Sequence, residues 1–574
     1  MSVRAGSRLE LEAEGRLLTK VGPRPVVVFW HEGRAWAIED RCPHMGFPLH
    51  EGTVEAGLVT CHWHHARFDL ASGCTLDPFA DDALAFDVEI RGEDVLVSPR
   101  ANGDARGHLE ARLRDGLEDG LTLVIAKSVL GLLDAGTAPD DIVRIGLEFG
   151  VRYRVEGWGA GLTVLVAMAN LLPHLDAEDR ALALVHGLAF VSRDTRNHAP
   201  RFPLAPLDRG ERDASRLSDW YRRFVDTRSS DAAERVLITA LAGGASLDEV
   251  EAMMFAAVTD HAFVDGGHTI DFTNKAFEAL AHVGAGSAGN VLPTLVRETA
   301  RSARSEEAGS WRHPHDLAMI VRDAGERIVG ALDRAGTGRR TFDDVDGLAH
   351  ALLDEDPNTV VDAIVDALAA GASGEQIGRA VAYAAALRIT RFHTQNDFGD
   401  WDTVHHAFTA ANALHQALAR HTTVELLRGA IHNALRVYLD RFLNVPAARL
   451  PDARRADLAE LDECWEAQGG VAEAGAIAYG YLEHGGEAAR LVAALCRALL
   501  REDAEFHWFQ VLEAGVRQHA AWPAGSEQGA LILAGVARFL AAHTPTRREL
   551  SRVVDIARRL RRGDDLFVET DSSA

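Results

Sequence analysis

The sequence lacks the features that mark secreted and membrane-spanning proteins. It has only five cysteines, an odd number scattered along the chain, which excludes a disulfide framework. Charged residues occupy the N-terminus, where a secretory signal needs an apolar run. No stretch reaches the roughly 18 apolar residues of a membrane span, and the longest candidate, 161–175, is interrupted by Pro173 and His174. These absences predict a cytoplasmic protein that has no membrane partner.

Basic residues are too few to suit a nucleic-acid partner. The chain has 60 Lys and Arg against 85 Asp and Glu, a formal net charge of −25, and such a surface repels a phosphate backbone. The sequence also contains neither a glycine-rich dinucleotide motif nor a P-loop, so it indicates no nucleotide site. At 574 residues the chain exceeds the size of one hydrophobic core, and we expect at least two domains.

What the sequence does contain is a compact set of cysteines and histidines near its start. Residues 1–102 alternate apolar and polar positions in short runs, among them RLELEAEG, RPVVVFWHEGRAWAIED and ALAFDVEIRGEDVLVSP, which is typical of a small antiparallel β domain. Two loops interrupt these runs, and each carries one cysteine and one histidine: Cys42 with His44, and Cys61 with His64. The full pattern is C-x-H, a gap of sixteen residues, and then C-x-x-H.

This pattern resembles the motif of the Rieske family. The resemblance covers about residues 7–98 and includes the stretches CPHMG, RFDLASG and AFDVEIRGEDVLV. It implies that Cys42 and Cys61 bind one iron of a [2Fe–2S] cluster, that His44 and His64 bind the other, and that a reductase donates the electrons. Zinc is the alternative for two cysteines and two histidines, but zinc fingers seldom join these two spacings across β loops.

Several positions depart from the family pattern and bear on the cluster. His62 and His65 stand where proline and glycine are common, so either they are exposed loop variants or His65 tunes the cluster edge. Ala66 and Phe68 stand where the respiratory type has hydroxyl side chains that donate hydrogen bonds to the cluster. Fewer donors stabilise the reduced cluster less, which predicts a low potential like that of oxygenase ferredoxins.

Beyond residue 102 the pattern becomes helical. Ala, Leu, Arg and Glu dominate, and apolar residues recur at intervals of three and four. The stretches 132–150, 240–258 and 367–385 share one form, in which a helix ends at a Gly turn and the next is capped by Ser or Ala-Pro; the first two align at an offset of 108. We expect 103–574 to be an all-α domain of four repeats packed as a bundle or short solenoid. The approximate units are 115–232, 233–345, 346–460 and 461–574.

The helical region is similar to two known groups of proteins. Its repeated helix resembles the AhpD/carboxymuconolactone decarboxylase fold, but the redox-active C-x-x-C of the AhpD type is absent, so that activity is not implied. The region as a whole resembles questin oxidase-like proteins, which are helical and implicated in oxygenation. The Asp/Asn-x2-His-x4-His element of Rieske oxygenase catalytic subunits is not found, so the chain does not look like an ordinary subunit of that kind.

Histidines and carboxylates concentrate in one helical stretch, FHTQNDFGDWDTVHH. It contains His393, Asp402, His405 and His406, which offer the two imidazoles and one carboxylate typical of non-haem Fe(II). Adjacent helical residues face different ways, so we expect one of His405 and His406 to bind and the other to pack. The stretch is compatible with a metal or catalytic site, a structural polar cluster, or a metal-free substrate pocket.

Two sequence echoes connect this stretch with other units. His268-x5-Asn274 matches His406-x5-Asn412, and FH-x11-H occurs in both the third and the fourth unit. Because six residues do not return to one helical face, the first echo favours common descent over a shared site.

Three functions are consistent with these features. In the first, the cluster accepts electrons from a reductase and relays them singly to a site in the helical domain, which oxidises a small apolar molecule. In the second, the chain is a ferredoxin-like electron carrier and the helices are a docking scaffold. In the third, it is a redox sensor. A second non-haem iron in the helical domain would distinguish the first function from the other two.

Overall fold

A computed structural model describes residues 2–100, 104–209, 213–336, 342–564 and 566. The chain divides into two compact units, of which the first contains the described residues of 1–145 and 550–574 and the second is Gly146–Glu549. The predicted fold class, a small β domain followed by a large helical region, is confirmed. The first unit also contains helices beyond residue 102. The division of the chain into two folding domains, 1–102 and 103–574, stays a prediction.

Two antiparallel sheets form the β part of the first unit. The strands are β1 (Val3–Ser7), β2 (Arg16–Val21), β3 (Arg24–His31), β4 (Arg34–Glu39), β5 (Thr53–Glu55), β6 (Leu58–Thr60), β7 (Arg67–Asp69), β8 (Ala85–Arg91) and β9 (Asp94–Pro99). The larger sheet has the order β1-β9-β8-β4-β3-β2, and the smaller one has the order β5-β6-β7. The loops that carry the Cys-His pairs follow β4 and β6.

Strand β3 shows how both faces of the larger sheet are buried. Successive side chains of a strand point to opposite faces. Val27 and Phe29 accordingly join a core that also contains Cys42 and Cys61, whereas Val26 and its neighbours on the same face join a second core. The continuous apolar run RPVVVFWH is therefore required by its position between two cores, and the first core lies directly beneath the Cys-His loops.

The prediction of a β run at RLELEAEG is wrong. Arg8–Glu14 forms helix α1, because Ser7 and Glu10 complete a capping box at its start and Gly15 closes its end with a φ of 75°. Only Leu11 of this helix is buried. The capping interactions at its two ends therefore favour a helix more strongly than the short alternating pattern favours a strand.

Beyond Pro99, the described elements are helices. They are α2 (Ala105–Asp119), α3 (Thr122–Asp134), α4 (Pro139–Arg152), α5 (Ala160–Leu171), α6 (Ala177–Thr195), α7 (Ala214–Asp226), α8 (Ser230–Ala242), α9 (Leu247–Thr259), α10 (His268–Val283), α11 (Ala288–Val291), α12 (Val296–Arg301), α13 (Leu317–Gly336), α14 (Val345–Ala351), α15 (Pro357–Ala369), α16 (Gly374–Thr390), α17 (Trp401–Arg420), α18 (Val424–Leu439), α19 (Ala459–Glu466), α20 (Val471–Glu483), α21 (Ala488–Leu500), α22 (Phe506–Ala520), α23 (Glu527–His543) and α24 (Glu549–Arg562). None of the helices in this part of the chain is both long and apolar enough to cross a membrane.

Four helices of the second unit form a closed ring. Helix α5 packs on α10, α10 on α17, α17 on α22, and α22 on α5. Three of them follow a repeated helix with the predicted start: α9 and α16 begin with capping boxes at Ser246 and Ser373, and α4 begins at Pro139. The repeats therefore build a bundle in which one helix from each repeat lines a common axis. We call these four helices the helix ring.

Equivalent residues of the four repeats meet inside the helix ring. The Asn170 amide donates to the Glu278 carboxylate at 2.9 Å, and Arg517 donates to Glu278 at 2.7 Å and to Gln416 at 3.1 Å. Asn170 and Glu278 are separated by 108 residues, the offset found between the first two repeats. The ring helices therefore run in the same direction and in register.

Candidate functional site

Two loops with the same backbone arrangement carry the predicted cluster ligands. In each loop the cysteine N–H donates to the carbonyl five residues later, and the cysteine carbonyl accepts from the N–H four residues later. These distances are 2.7 and 2.8 Å around Cys42, and 2.8 and 2.9 Å around Cys61. The C-x-H and C-x-x-H sequences thus form two similar six-residue loops that face one another.

Histidine occupies a glycine-type position in the second loop. The fourth residue after each cysteine has a left-handed backbone, with φ of 88° at Gly46 and 62° at His65. An L residue in this region costs about 1–2 kcal/mol, although His tolerates it better than most. The loop therefore keeps the turn that the family makes with glycine, at some cost in stability. His62 is exposed, and its Nε2 lies 2.7 Å from the Thr53 hydroxyl.

The four ligand side chains converge between the loops. Cys42 and Cys61 are buried in one core, and the ring centroids of His44 and His64 lie 4.7 Å apart. The hydrogen bond between the two thiols lowers the pKa of Cys61 to about 6 and raises the pKa of Cys42, so the first proton leaves from Cys61; burial lowers the pKa of His44 to about 4. An easily ionised thiol and a neutral imidazole are the protonation states that bind metals.

The buried surface between the loops fits a Rieske cluster. Nδ1 of His44 is buried and lacks a hydrogen-bond partner, which is unfavourable unless a ligand or metal satisfies it. Backbone N–H groups of His44 and Met45 hydrogen-bond to the Cys42 sulfur, and those of Trp63 and His64 do the same for Cys61. Two thiols, two imidazoles and an unpaired imidazole nitrogen are the donor set that such a cluster requires.

A second group of histidines lies inside the helix ring. His268 of α10, His406 of α17 and His507 of α22 place one nitrogen each within 4.8 Å of the others. Their ring centroids are 4.6–5.3 Å apart, and the Nε2 atoms of His406 and His507 lie 2.9 Å apart. Each histidine stands ten residues before the residue of its own helix, Glu278, Gln416 or Arg517, that contacts its equivalents inside the ring. The three histidines therefore occupy equivalent repeat positions. The corresponding residue of α5 is Ala160.

His405 and Asp402 extend this group. The His405 centroid lies 4.4 Å from that of His406 and 4.2 Å from that of His507. Only 1% of His405 is exposed, and neither of its ring nitrogens has a hydrogen-bond partner. Asp402, which is exposed, forms a second possible ligand set with His405 and His507. Both neighbouring histidines therefore contact the same third imidazole, and which of them would bind a metal stays a prediction. We call His268, His405, His406 and His507 the histidine group.

The histidine group is held in its neutral form. Burial, together with the neighbouring imidazoles, lowers the pKa of His406 to about 2 and that of His507 to about 3. The pKa values of His268 and His405 are also lowered, chiefly by burial. Neutral imidazoles have a free lone pair, so the group offers several metal ligands in one place.

His393 lies apart from the histidine group. Helix α16 ends at Thr390, and His393 occupies the following loop, where its Nδ1 accepts from the Gln395 N–H at 3.1 Å. The FH-x11-H pattern aligns His393 with His507, whereas packing makes His406 the equivalent of His507. Neither His268 nor His507 is among the site residues predicted from the sequence.

The signal that identifies the two missed histidines was present in the sequence. His268-x5-Asn274 continues in the fourth repeat as His507-x5-Glu513. The echo was interpreted as common descent, and the structure adds that these equivalent residues of the repeats meet inside the helix ring.

Comparisons with known proteins identify the family of the N-terminal part of the chain. Residues 2–89 match the Rieske [2Fe-2S] domain family. A human Rieske domain-containing protein is 36% identical over 76 residues, which are 12% of this chain and 48% of that protein. The ferredoxin component of biphenyl 2,3-dioxygenase from Rhodococcus jostii is 34% identical over 87 residues, 15% of this chain and 81% of that component.

A solved structure gives a similar match. The ferredoxin of carbazole 1,9a-dioxygenase from Nocardioides aromaticivorans IC177 has 26% identity and a TM-score of 0.17, and the match covers 17% of this chain and 99% of that one. The chain spans less than half the length of the human relative. The biphenyl dioxygenase ferredoxin, in contrast, is covered over most of its length. Through its N-terminal domain, the chain belongs to the Rieske [2Fe-2S] family.

Proposed function

We propose that this chain is an oxidoreductase in which the Rieske domain relays single electrons to a metal site in the helical unit, where dioxygen, reduced with these electrons, oxidises a small apolar molecule. The observation that carries the proposal is the histidine group, in which neutral imidazoles touch one another and His405 has two unpaired ring nitrogens. A bound [2Fe–2S] cluster supplies reversible one-electron transfer. Such a relay serves an acceptor that also changes its oxidation state one electron at a time.

Cys42, His44, Cys61 and His64 are the proposed cluster ligands. His64 is exposed, whereas His44 is half-buried, so the cluster edge at His64 is the more accessible to an electron-donating reductase. All five cysteines are unpaired, which supports a reducing, cytoplasmic location for this chemistry.

The histidine group supports two overlapping ligand sets. One consists of three imidazoles, from His268, His406 and His507; the other adds the carboxylate of Asp402 to His405 and His507. Imidazoles bind zinc, copper and iron, and two imidazoles with one carboxylate are typical of non-haem Fe(II). We infer iron, because zinc has no redox chemistry and cannot use electrons from a cluster.

Aromatic residues around the histidine group favour an apolar substrate. Phe272 and Phe506 lie 5.4 and 5.7 Å from His268, and Phe539 lies 6.0 Å from His405, measured between ring centroids. Aromatic walls with a few convergent polar atoms are typical of sites that bind small apolar molecules. In this proposal the imidazoles hold the metal and the phenyl rings position the substrate and exclude water.

Metal analysis tests this proposal. Full-length protein is purified anaerobically, its iron and zinc are counted per chain, and the dithionite-reduced protein is examined by electron paramagnetic resonance. We compare wild type with His507→Ala and, as a matched control from outside the group, His393→Ala. We expect iron beyond the two cluster irons in wild type and in His393→Ala, and its loss in His507→Ala with the Rieske signal unchanged. Two irons and no further metal in wild type, or zinc alone at the second site, would overturn the proposal.

A second candidate function is an electron carrier or redox sensor whose helical unit docks a partner. The name of one relative, the ferredoxin component of biphenyl 2,3-dioxygenase, favours it. The same experiment separates the two functions, because a carrier or sensor needs only the two cluster irons and tolerates His507→Ala.

A further inference from the structure

A buried lysine contacts the first cluster-binding loop. The Lys127 ammonium, on α3, donates to the carbonyl oxygens of Pro43 and His44, the latter at 3.2 Å, and pairs with the Asp81 carboxylate at 3.1 Å. Its side chain is 8% exposed. Each of its three N–H groups thus has an acceptor, and two of the three acceptors belong to the loop between Cys42 and His44.

We propose that Lys127 is a positioning residue that sets the reduction potential of the cluster. It does so in two ways: it fixes the backbone of the loop that presents His44, and it places a positive charge on the buried side of that ligand. The exposed ligand, His64, has no equivalent cation among its described contacts. The inference rests on the proposed cluster ligands and is independent of the second metal.

The choice of lysine at this position is specific. The chain has three lysines among its 60 basic residues, so arginine is its usual cation. An ammonium carries three donors around one small atom, which suits three acceptors that converge from two loops. The planar fork of arginine suits a flat, bidentate partner instead.

A neighbouring arginine holds the counter-ion of Lys127 in place. Arg112 of α2 donates to the carbonyls of Pro78 and Ala80 at 2.8 and 2.9 Å, and its Nε lies 3.4 Å from Asp81. The Asp81 carboxylate is therefore shared between two buried cations from two helices. Both helices lie outside residues 2–89, so this arrangement is an addition of this chain to the part that matches the Rieske family.

The two charges act on the cluster with opposite signs. Reduction adds one negative charge to the cluster, so a nearby cation favours the reduced form and a nearby carboxylate disfavours it. Removal of the Lys127 charge should therefore lower the potential, and removal of the Asp81 charge should raise it. A purely structural role predicts no such opposition, because loosening the loop from either side has the same consequence.

A redox titration of the full-length protein, followed by the Rieske signal in electron paramagnetic resonance, tests the inference. We expect Lys127→Met to lower the equilibrium constant for reduction about tenfold, which is about 59 mV for a one-electron couple. Asp81→Asn should raise it by a similar factor. Lys127→Arg, which keeps the charge, should change it less than Lys127→Met. Lys20→Met is the matched control, because Lys20 is exposed on β2. The cluster of this variant should have the same reduction potential as that of wild type.

The measured potentials of these variants either support or overturn the role of Lys127. The inference is overturned if Lys127→Met and Asp81→Asn move the potential in the same direction, or if neither moves it. If Lys127→Met fails to incorporate the cluster, Asp81→Asn alone is decisive, and an unchanged or lowered potential overturns the inference. A wild-type protein without any Rieske signal would instead refute the proposed cluster site, so the two failures are distinguishable.

Discussion

Replacing Lys275 should strongly destabilise the helical unit. Lys275 is fully buried, and its ammonium lies 2.8 Å from the carboxylates of both Glu278 and Glu513. Methionine keeps the apolar stem but removes the charge that these carboxylates face. Breaking a buried pair in this way costs about 3–5 kcal/mol. Arg517 still contacts both glutamates, so we expect Lys275→Met to lose about 3 kcal/mol of unfolding free energy at neutral pH.

The loss should depend on pH with a defined sign. Burial would raise the pKa of Glu278, but the nearby Lys275 and Arg517 outweigh it and bring that pKa to about 2. The unfolded value is about 4.3, so this carboxylate stabilises the wild type above pH of about 4.3, and the gain disappears as the pH falls toward 2. Without Lys275 much of that gain is lost. The difference between wild type and variant should therefore be largest at neutral pH and shrink in acid.

Guanidinium unfolding, followed by far-ultraviolet circular dichroism, measures this difference because the helices dominate that signal. Lys20→Met is again the control, and as an exposed substitution it should stay within about 0.5 kcal/mol of wild type. A loss below about 1 kcal/mol in Lys275→Met at neutral pH, or a loss that does not change with pH, would show that the buried charges are not energetically coupled as argued.

Three further predictions address individual residues. His65→Gly should relieve the left-handed backbone and stabilise the β domain by about 1 kcal/mol; thermal loss of the cluster's visible absorption would measure it, and an unchanged midpoint would contradict it. Burial raises the pKa of Asp271 to about 7, above its unfolded value of about 3.9, so Asp271 destabilises the fold increasingly as the pH rises between these values. Asp271→Asn should therefore stabilise the protein at pH of about 8 but not at about 4, and equal unfolding midpoints at both would refute this. Ala160→His should add a fourth imidazole at the equivalent repeat position and slow metal loss to a chelator, and unchanged loss would show that Ala160 lies away from the metal.

The β domain and its ligand loops could be predicted because their information is local. Cys42 and His44 share one loop, as do Cys61 and His64, so spacing alone identifies both pairs. Helix α1 was missed because its signal is a cap at Ser7 rather than a periodic pattern. The extension of the first unit to α2 and α3 depends on buried side chains that contact loops far away in sequence, and no local pattern indicates such contacts.

The histidine group was only half predictable, because some of its members are distant from one another in sequence. Asp402, His405 and His406 are neighbours in sequence, so one short stretch predicts all three as candidates. His507 lies 101 residues from His406, and only the packing of α22 on α17 joins the two. His393 falls in the same stretch, but it lies in the loop after the helix that ends at Thr390, and its role in a site stays a prediction.

The charged layer at the other end of the helix ring explains how the histidine group keeps its geometry. Equivalent positions there hold Asn170, Glu278, Gln416 and Arg517, which differ in charge and in hydrogen-bonding groups. Sliding one ring helix by a turn would leave a buried charge unpaired, at a cost of about 3–5 kcal/mol, whereas an apolar layer would tolerate the slip. Since His268, His406 and His507 each stand ten residues from this layer on their own helices, fixing the register there also fixes which imidazoles meet at the axis. The layer therefore supplies specificity for the histidine group even where its net contribution to stability is small.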